Sequence, residues 1–179
     1  MRKPTSLSRK TEFVARGAIL LAVSLILSYL ETLIPISAVV PIPGFKLGLA
    51  NIAVIIAYYS VSPTAAAVIS FSRAVITSLL FSGVTTLIFS LLGAAFSFAV
   101  LIVISHIKRP RFGFLGLSVA MALAHNAGQL IGSVIVMKSF SILWYYPALA
   151  FAAVICGSLT GCALSLLPER LYKRKVRLS

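Results

Sequence analysis

The chain has 179 residues, is 60% hydrophobic with a mean hydropathy of +1.06, and carries 16 Lys and Arg against 3 acidic residues, a formal charge of +13. A soluble domain is about 45–50% apolar, so the surplus here belongs in lipid. No Asp occurs anywhere, which excludes chemistry that clusters carboxylates around Mg2+.

Of the 16 basic residues, 13 fall in three clusters: Arg2, Lys3, Arg9, Lys10 and Arg16; Lys108, Arg109 and Arg111; and Arg170, Lys173, Arg174, Lys175 and Arg177. Such clusters at the ends of apolar segments fit anionic headgroups and the retention of Lys and Arg in cytoplasmic loops, rather than nucleic acid. In chain order, the first apolar segment spans about 13–34 and stops at Pro35. It lacks a clear cleavage site and is read as a retained helix, not a signal peptide. Residues 35–47 hold three prolines and a glycine and are expected to form an ordered or partly re-entrant loop.

The second helix, about 48–60, is short for a crossing. The third spans about 63–81 with Pro63 in its first turn, and the fourth about 84–107. A basic loop follows, then a fifth helix over 115–137 and a sixth over 143–167 that opens on Trp144, Tyr145 and Tyr146, an expected interfacial belt. The basic clusters precede the first helix, follow the fourth and follow the sixth, so an even number of crossings separates them. The expected fold is an all-α integral membrane protein, a bundle of six transmembrane helices with both termini cytoplasmic. It forms one membrane domain over 1–179, with a basic tail at 1–12, helices over 13–167 and a second basic tail at 168–179.

Small residues four apart mark faces where helices approach closely: Ala18 and Ala22, Gly128 and Gly132, Gly157 and Gly161. Cys156 and Cys162 lie on different faces of one helix, and are read as packing residues with no metal spacing.

Polar groups at bilayer depth each need a reason. Glu31, Lys46, Asn51, Arg73, His125, Asn126, Gln129 and Lys138 all fall, by topology, between the midplane and the outer surface. One outward-facing pocket gathers them, with cations in excess of its single acid, so a bound solute would be polar, with an anion among the candidates. Simpler roles stand beside this. Arg73 can clamp Glu31. His125, Asn126 and Gln129 can tie helices. Lys46 and Lys138 can be solvated loop charges, and Asn51 can cap or tie the Pro-rich loop.

The stretch Pro41-Ile-Pro-Gly-Phe-Lys-Leu-Gly-Leu-Ala-Asn-Ile52, with Pro63-Thr-Ala-Ala-Ala and Arg73 after it, resembles the Gx transporter family. That family carries the older label heptaprenyl diphosphate synthase component I and is similar to the substrate-capture (S) components of energy-coupling-factor transporters. The resemblance implies a six-helix subunit of a bacterial cytoplasmic membrane that binds a small solute near the outer face, with residues 35–47 closing over it. Ala18 and Ala22 match the Ala-x-x-x-Ala pattern by which such components dock on a transmembrane coupling subunit, itself driven by ATPases. The chain has no Walker A sequence of its own. A synthase activity is not expected from a chain without Asp, and no cofactor or metal is expected. Two other roles compete. One is a non-catalytic membrane component of a quinone, isoprenoid or flavin-linked electron-transfer system. The other is a scaffold that recruits a soluble enzyme.

Overall fold

The computed structural model describes residues 6–33, 46, 48–107 and 113–167. Most of the Pro-rich loop, the basic loop at 108–111 and the basic C-terminal tail lie outside the described residues, as does the start of the N-terminal tail. The described residues form six α-helices and no strand: α1 (Ser6–Thr32), α2 (Asn51–Ser60), α3 (Pro63–Thr77), α4 (Thr85–His106), α5 (Gly113–Met137) and α6 (Tyr146–Ser165). Five helical segments are long and apolar enough to cross a bilayer. α2 has 10 residues, about 15 Å of rise against a hydrocarbon core of about 30 Å.

Local sequence explains the boundaries. Ser62 caps α3 by accepting from the Ala65 N–H at 3.0 Å, with Pro63 in the first turn where no N–H is needed. α3 runs on into a π-helical turn, Ser78–Ser82, which ends at Gly83 with φ +87°. A 3-10 turn over Phe140–Tyr145 leads into α6, so the aromatic trio straddles a junction rather than opening one continuous helix. Trp144 is 87% exposed.

Neighbouring helices alternate in direction. Gly128 meets Leu92 and Gly132 meets Phe89, numbers rising on α5 as they fall on α4. Gly157 meets Val119 and Gly161 meets Leu115, which sets α6 antiparallel to α5. A Cβ at Gly128 would stand 2.5 Å from the Leu92 carbonyl oxygen, and one at Gly157 2.6 Å from the Val119 Cα. Both expected glycine pairs therefore sit at direct backbone contacts. The Ser78 hydroxyl donates to that of Ser90 at 2.8 Å, so α4 also runs back along α3. The Tyr58 and Ser105 hydroxyls, 2.6 Å apart, put the last turns of α2 and α4 at one end. Short as it is, α2 thus carries the chain toward the end opposite Glu31.

The core has two regions. Val54, Ile55, Ala66, Ile69, Leu101, Leu117, Met121 and Leu164 fill the end where α2 turns into α3. At the other end Phe89, Leu130, Ile142 and Leu149 pack between α4, α5 and α6. Beside this second group, among α1, α2, α3 and α5, the interior is polar. α1 shows why. Its buried residues, Ser24, Ser28 and Glu31, recur at i, i+4 and i+7, while Val14, Ile19, Val23, Ile26 and Leu30 are exposed. Such a helix is stable in lipid, where its apolar side needs no protein cover.

Candidate functional site

The polar interior is built on the start of α2. The N-cap position, Ala50, has no side chain that can cap. Glu31 of α1 takes that role: its Oε1 accepts from the Leu49 N–H, and from the Ala50 N–H at 3.4 Å. A carboxylate placed on these free amides also meets the positive end of the helix dipole. Asn51 is thereby released from capping. Its Oδ1 accepts from Arg73 Nη2 at 3.3 Å, and Ser28 Oγ accepts from Arg73 Nη1 at 3.3 Å. Arg73 is only 2% exposed. The alternative of a clamp between Arg73 and Glu31 does not form as a direct ion pair. Among the described residues the one salt bridge joins Arg16 to Glu12, at 2.5 Å on the exposed side of α1.

Lys46 is not a solvated loop charge. It is 3% exposed, and its Nζ donates to Thr77 Oγ1 at 2.6 Å. Its backbone N–H donates to Gln129 Oε1 at 3.4 Å. Burial, reinforced by the Arg73 charge and opposed by Glu31, pushes its ammonium from an ordinary 10.5 down to about 8. Gly48 turns the chain between these contacts with φ +87°, and a Cβ there would lie 3.0 Å from Asn51 Nδ2 and 3.7 Å from His125 Cδ2. A non-glycine residue would be strained by the backbone and crowded by the Asn51 amide.

His125 and Gln129 share one face of α5, as their spacing predicts. Both lie against Gly93 of α4, where a Cβ would be 3.0 Å from His125 Cε1 and 2.9 Å from Gln129 Cγ. Asn126 points elsewhere: its Nδ2 donates to the Leu149 carbonyl at 3.0 Å and ties α5 to α6. Lys138 stands apart, exposed, with φ 50°.

Glu31, Lys46, Asn51, Arg73, His125 and Gln129 are thus brought together, and Asn126 sits one helix face away. Thr77, Ser28, Gly48 and Gly93 belong to the same constellation and were not singled out from the sequence. The stripe Ser24, Ser28, Glu31 and the mid-helix glycine at 93 were the available signals. The constellation is rich in groups without hydrogen-bond partners: Arg73 Nε, Asn51 Nδ2, Gln129 Nε2, both His125 ring nitrogens and Glu31 Oε2, with Asn126 Oδ1 a further one on the neighbouring face. Buried polar groups are ordinarily satisfied, and each exception is costly. Ala18 and Ala22 are exposed on α1, rotated about 140° from the Ser24, Ser28, Glu31 stripe at 100° per residue. Cys156 is buried, Cys162 exposed, and both are free thiols. No group of three or more His, Cys, Asp or Glu fit to hold a metal occurs among the described residues.

Fold and site define a helical membrane protein with a polar constellation buried among α1, α2, α3 and α5. A family model described as heptaprenyl diphosphate synthase component I matches residues 20–167, and the chain belongs to that family, the Gx transporter family. Neither the curated proteins nor the solved structures yield a match.

Proposed function

We propose that the protein is the solute-binding S component of an uptake transporter of the energy-coupling-factor type, and that it is not an enzyme. One observation carries this reading: buried side chains from α1, α2, α3 and α5 converge on one region and leave five donor or acceptor groups there unmatched, counting the His125 ring once. A purely structural network would be expected to match them. Lys46 and Gly48, on the segment entering α2, border the constellation and would close over a bound solute.

The three basic clusters, with their bias toward the cytoplasm, support an orientation in which both termini face inward and the polar constellation lies in the outer half of a bacterial cytoplasmic membrane. Ala18 and Ala22, exposed on the far side of α1, are the proposed contact with a transmembrane coupling subunit, with separate ATPases supplying the energy. The word synthase in the family's description has no support in a chain devoid of Asp.

Native mass spectrometry of the gently purified full chain tests the capture role. We expect a small molecule to leave the wild-type protein on activation, and to be missing from Asn51→Leu and Gln129→Leu proteins that still melt cooperatively. Wild-type protein that releases nothing, and that gains no bound mass after incubation with a concentrated extract of growth medium, would remove the capture role.

A further inference from the structure

We infer that the constellation takes an oxyanion, a carboxylate or phosphate group, held jointly by Lys46 and Arg73. This rests on the capture reading for its source but on charge balance for its chemistry. Two cations, Lys46 and Arg73, are buried within reach of one carboxylate, Glu31, so positive charge is in excess by at least one at neutral pH. Glu31 cannot make up the difference. Its Oε1 is taken by the backbone amides of Leu49 and Ala50, and it makes no ion pair with either cation.

Arg73 therefore sits in the interior with two long bonds to neutral oxygens and its Nε–H unpartnered. A buried guanidinium without a direct ion-pair partner is a costly arrangement in a protein, and costlier still in a bilayer. The groups around it select the sign of what is missing. Arg73 Nε, Asn51 Nδ2 and Gln129 Nε2 are donors in search of acceptors, and the ammonium of Lys46 has donors beyond the one given to Thr77; against them stands one unmatched carboxylate oxygen, Glu31 Oε2, so donors and positive charge outweigh it. A planar or tetrahedral oxyanion matches a guanidinium fork with an ammonium beside it. A neutral or cationic solute would leave the guanidinium as it stands.

The same chemistry has two sources, a free solute or a lipid headgroup phosphate, and one experiment separates them. Thermal melts of the full chain in phosphatidylcholine nanodiscs at pH 7 are titrated with acetate, inorganic phosphate or the uncharged isostere acetamide, at ionic strength held constant with sodium chloride. Acetate or phosphate should raise the melting temperature in a saturable way and acetamide should not. Lys46→Gln and Arg73→Gln should each weaken the apparent affinity about tenfold or more, the scale of a lost charge-assisted hydrogen bond. Lys138→Gln, at an exposed lysine outside the constellation, should match wild type. A wild-type protein indifferent to both oxyanions, an equal response to acetamide, or an undiminished response in both variants overturns the inference.

In nanodiscs containing phosphatidylglycerol, a melting temperature already raised, with acetate and phosphate now without effect and with Arg73→Gln abolishing the rise, identifies a headgroup as the anion. The oxyanion site then stands while solute capture falls. A neutral molecule released in native mass spectrometry, with no oxyanion response, gives the reverse.

Discussion

The two halves of the bundle are held together by different physics. α4, α5 and α6 meet backbone to backbone through Gly128, Gly132, Gly157 and Gly161, with apolar side chains between them. At the Glu31 end, α1, α2 and α3 meet instead through hydrogen bonds: Glu31 to the start of α2, Arg73 to Ser28 and Asn51, Lys46 to Thr77. Dispersion at close contact is short-ranged and tolerates no added atom, whereas hydrogen bonds in a dry interior can be exchanged for others. The glycine-packed half is suited to be a frame, and the polar half to receive a ligand.

The sharpest way to break this comparison is to add bulk to the frame. Gly128→Leu places its first carbon 2.5 Å from a carbonyl oxygen, and should destabilise the protein by more than about 3 kcal/mol, or prevent folding. Denaturation in bicelles reads it, and an unchanged midpoint would mean that the backbones do not touch there.

Next comes the titration of Lys46. Its pKa falls from 10.5 to about 8 on folding, so between those values the unfolded chain holds the extra proton. Stability should then rise as pH increases from about 8 towards 10.5, by up to about 3 kcal/mol at 1.36 kcal/mol per unit. Below 8 both states are protonated and this contribution is flat. Oxyanion affinity should move the opposite way, weakening above pH 8 as the ammonium is lost. Lys46→Met should flatten both curves, and a wild-type melting profile already flat across that range would contradict the burial of Lys46.

Glu31→Gln should cost about 1–2 kcal/mol, the range of a lost helix cap with its charge, and hydrogen exchange should quicken at the Leu49 and Ala50 amides. Unchanged exchange there would sink the capping role. The smallest effect on stability belongs to Ala18→Leu with Ala22→Leu. On an exposed face these should stay within about 0.5 kcal/mol of wild type, yet abolish co-purification with a coupling subunit. A complex that survives both changes removes the docking assignment.

Much of the fold could be read in advance, because membrane helices announce themselves by length and apolarity. α5, expected over 115–137, spans Gly113–Met137, and α4, expected over 84–107, spans Thr85–His106. The glycine pairs were legible because four-residue spacing fixes a face. The π-helical turn after Thr77 and the 3-10 turn before Tyr146 were not, since both depend on how the ends pack rather than on composition. In the site, depth alone groups Glu31, Lys46, Asn51, Arg73, His125 and Gln129, which the structure brings together, but also Asn126 and Lys138, which lie outside the constellation. The partners of the site residues were out of reach. Nothing local to Glu31 says that it caps a helix starting 20 residues later, and with the acid so occupied the alternative of a clamp with Arg73 does not form as a direct ion pair. For Lys46 the sequence leaves a pocket cation and a solvated loop charge both open, because the burial that decides between them depends on Thr77, 31 residues away.

One rod bears both proposed recognition surfaces. α1 turns Ser24, Ser28 and Glu31 toward the constellation and Ala18 and Ala22 to the opposite side. An oxyanion that drew Arg73 away from Ser28 would loosen the grip on one flank of this rod. Its tilt or roll would then change on the other flank, where a partner would sit. Occupancy could in this way be signalled to the membrane-facing surface by rigid movement of a single helix, with no rearrangement of the glycine-packed frame.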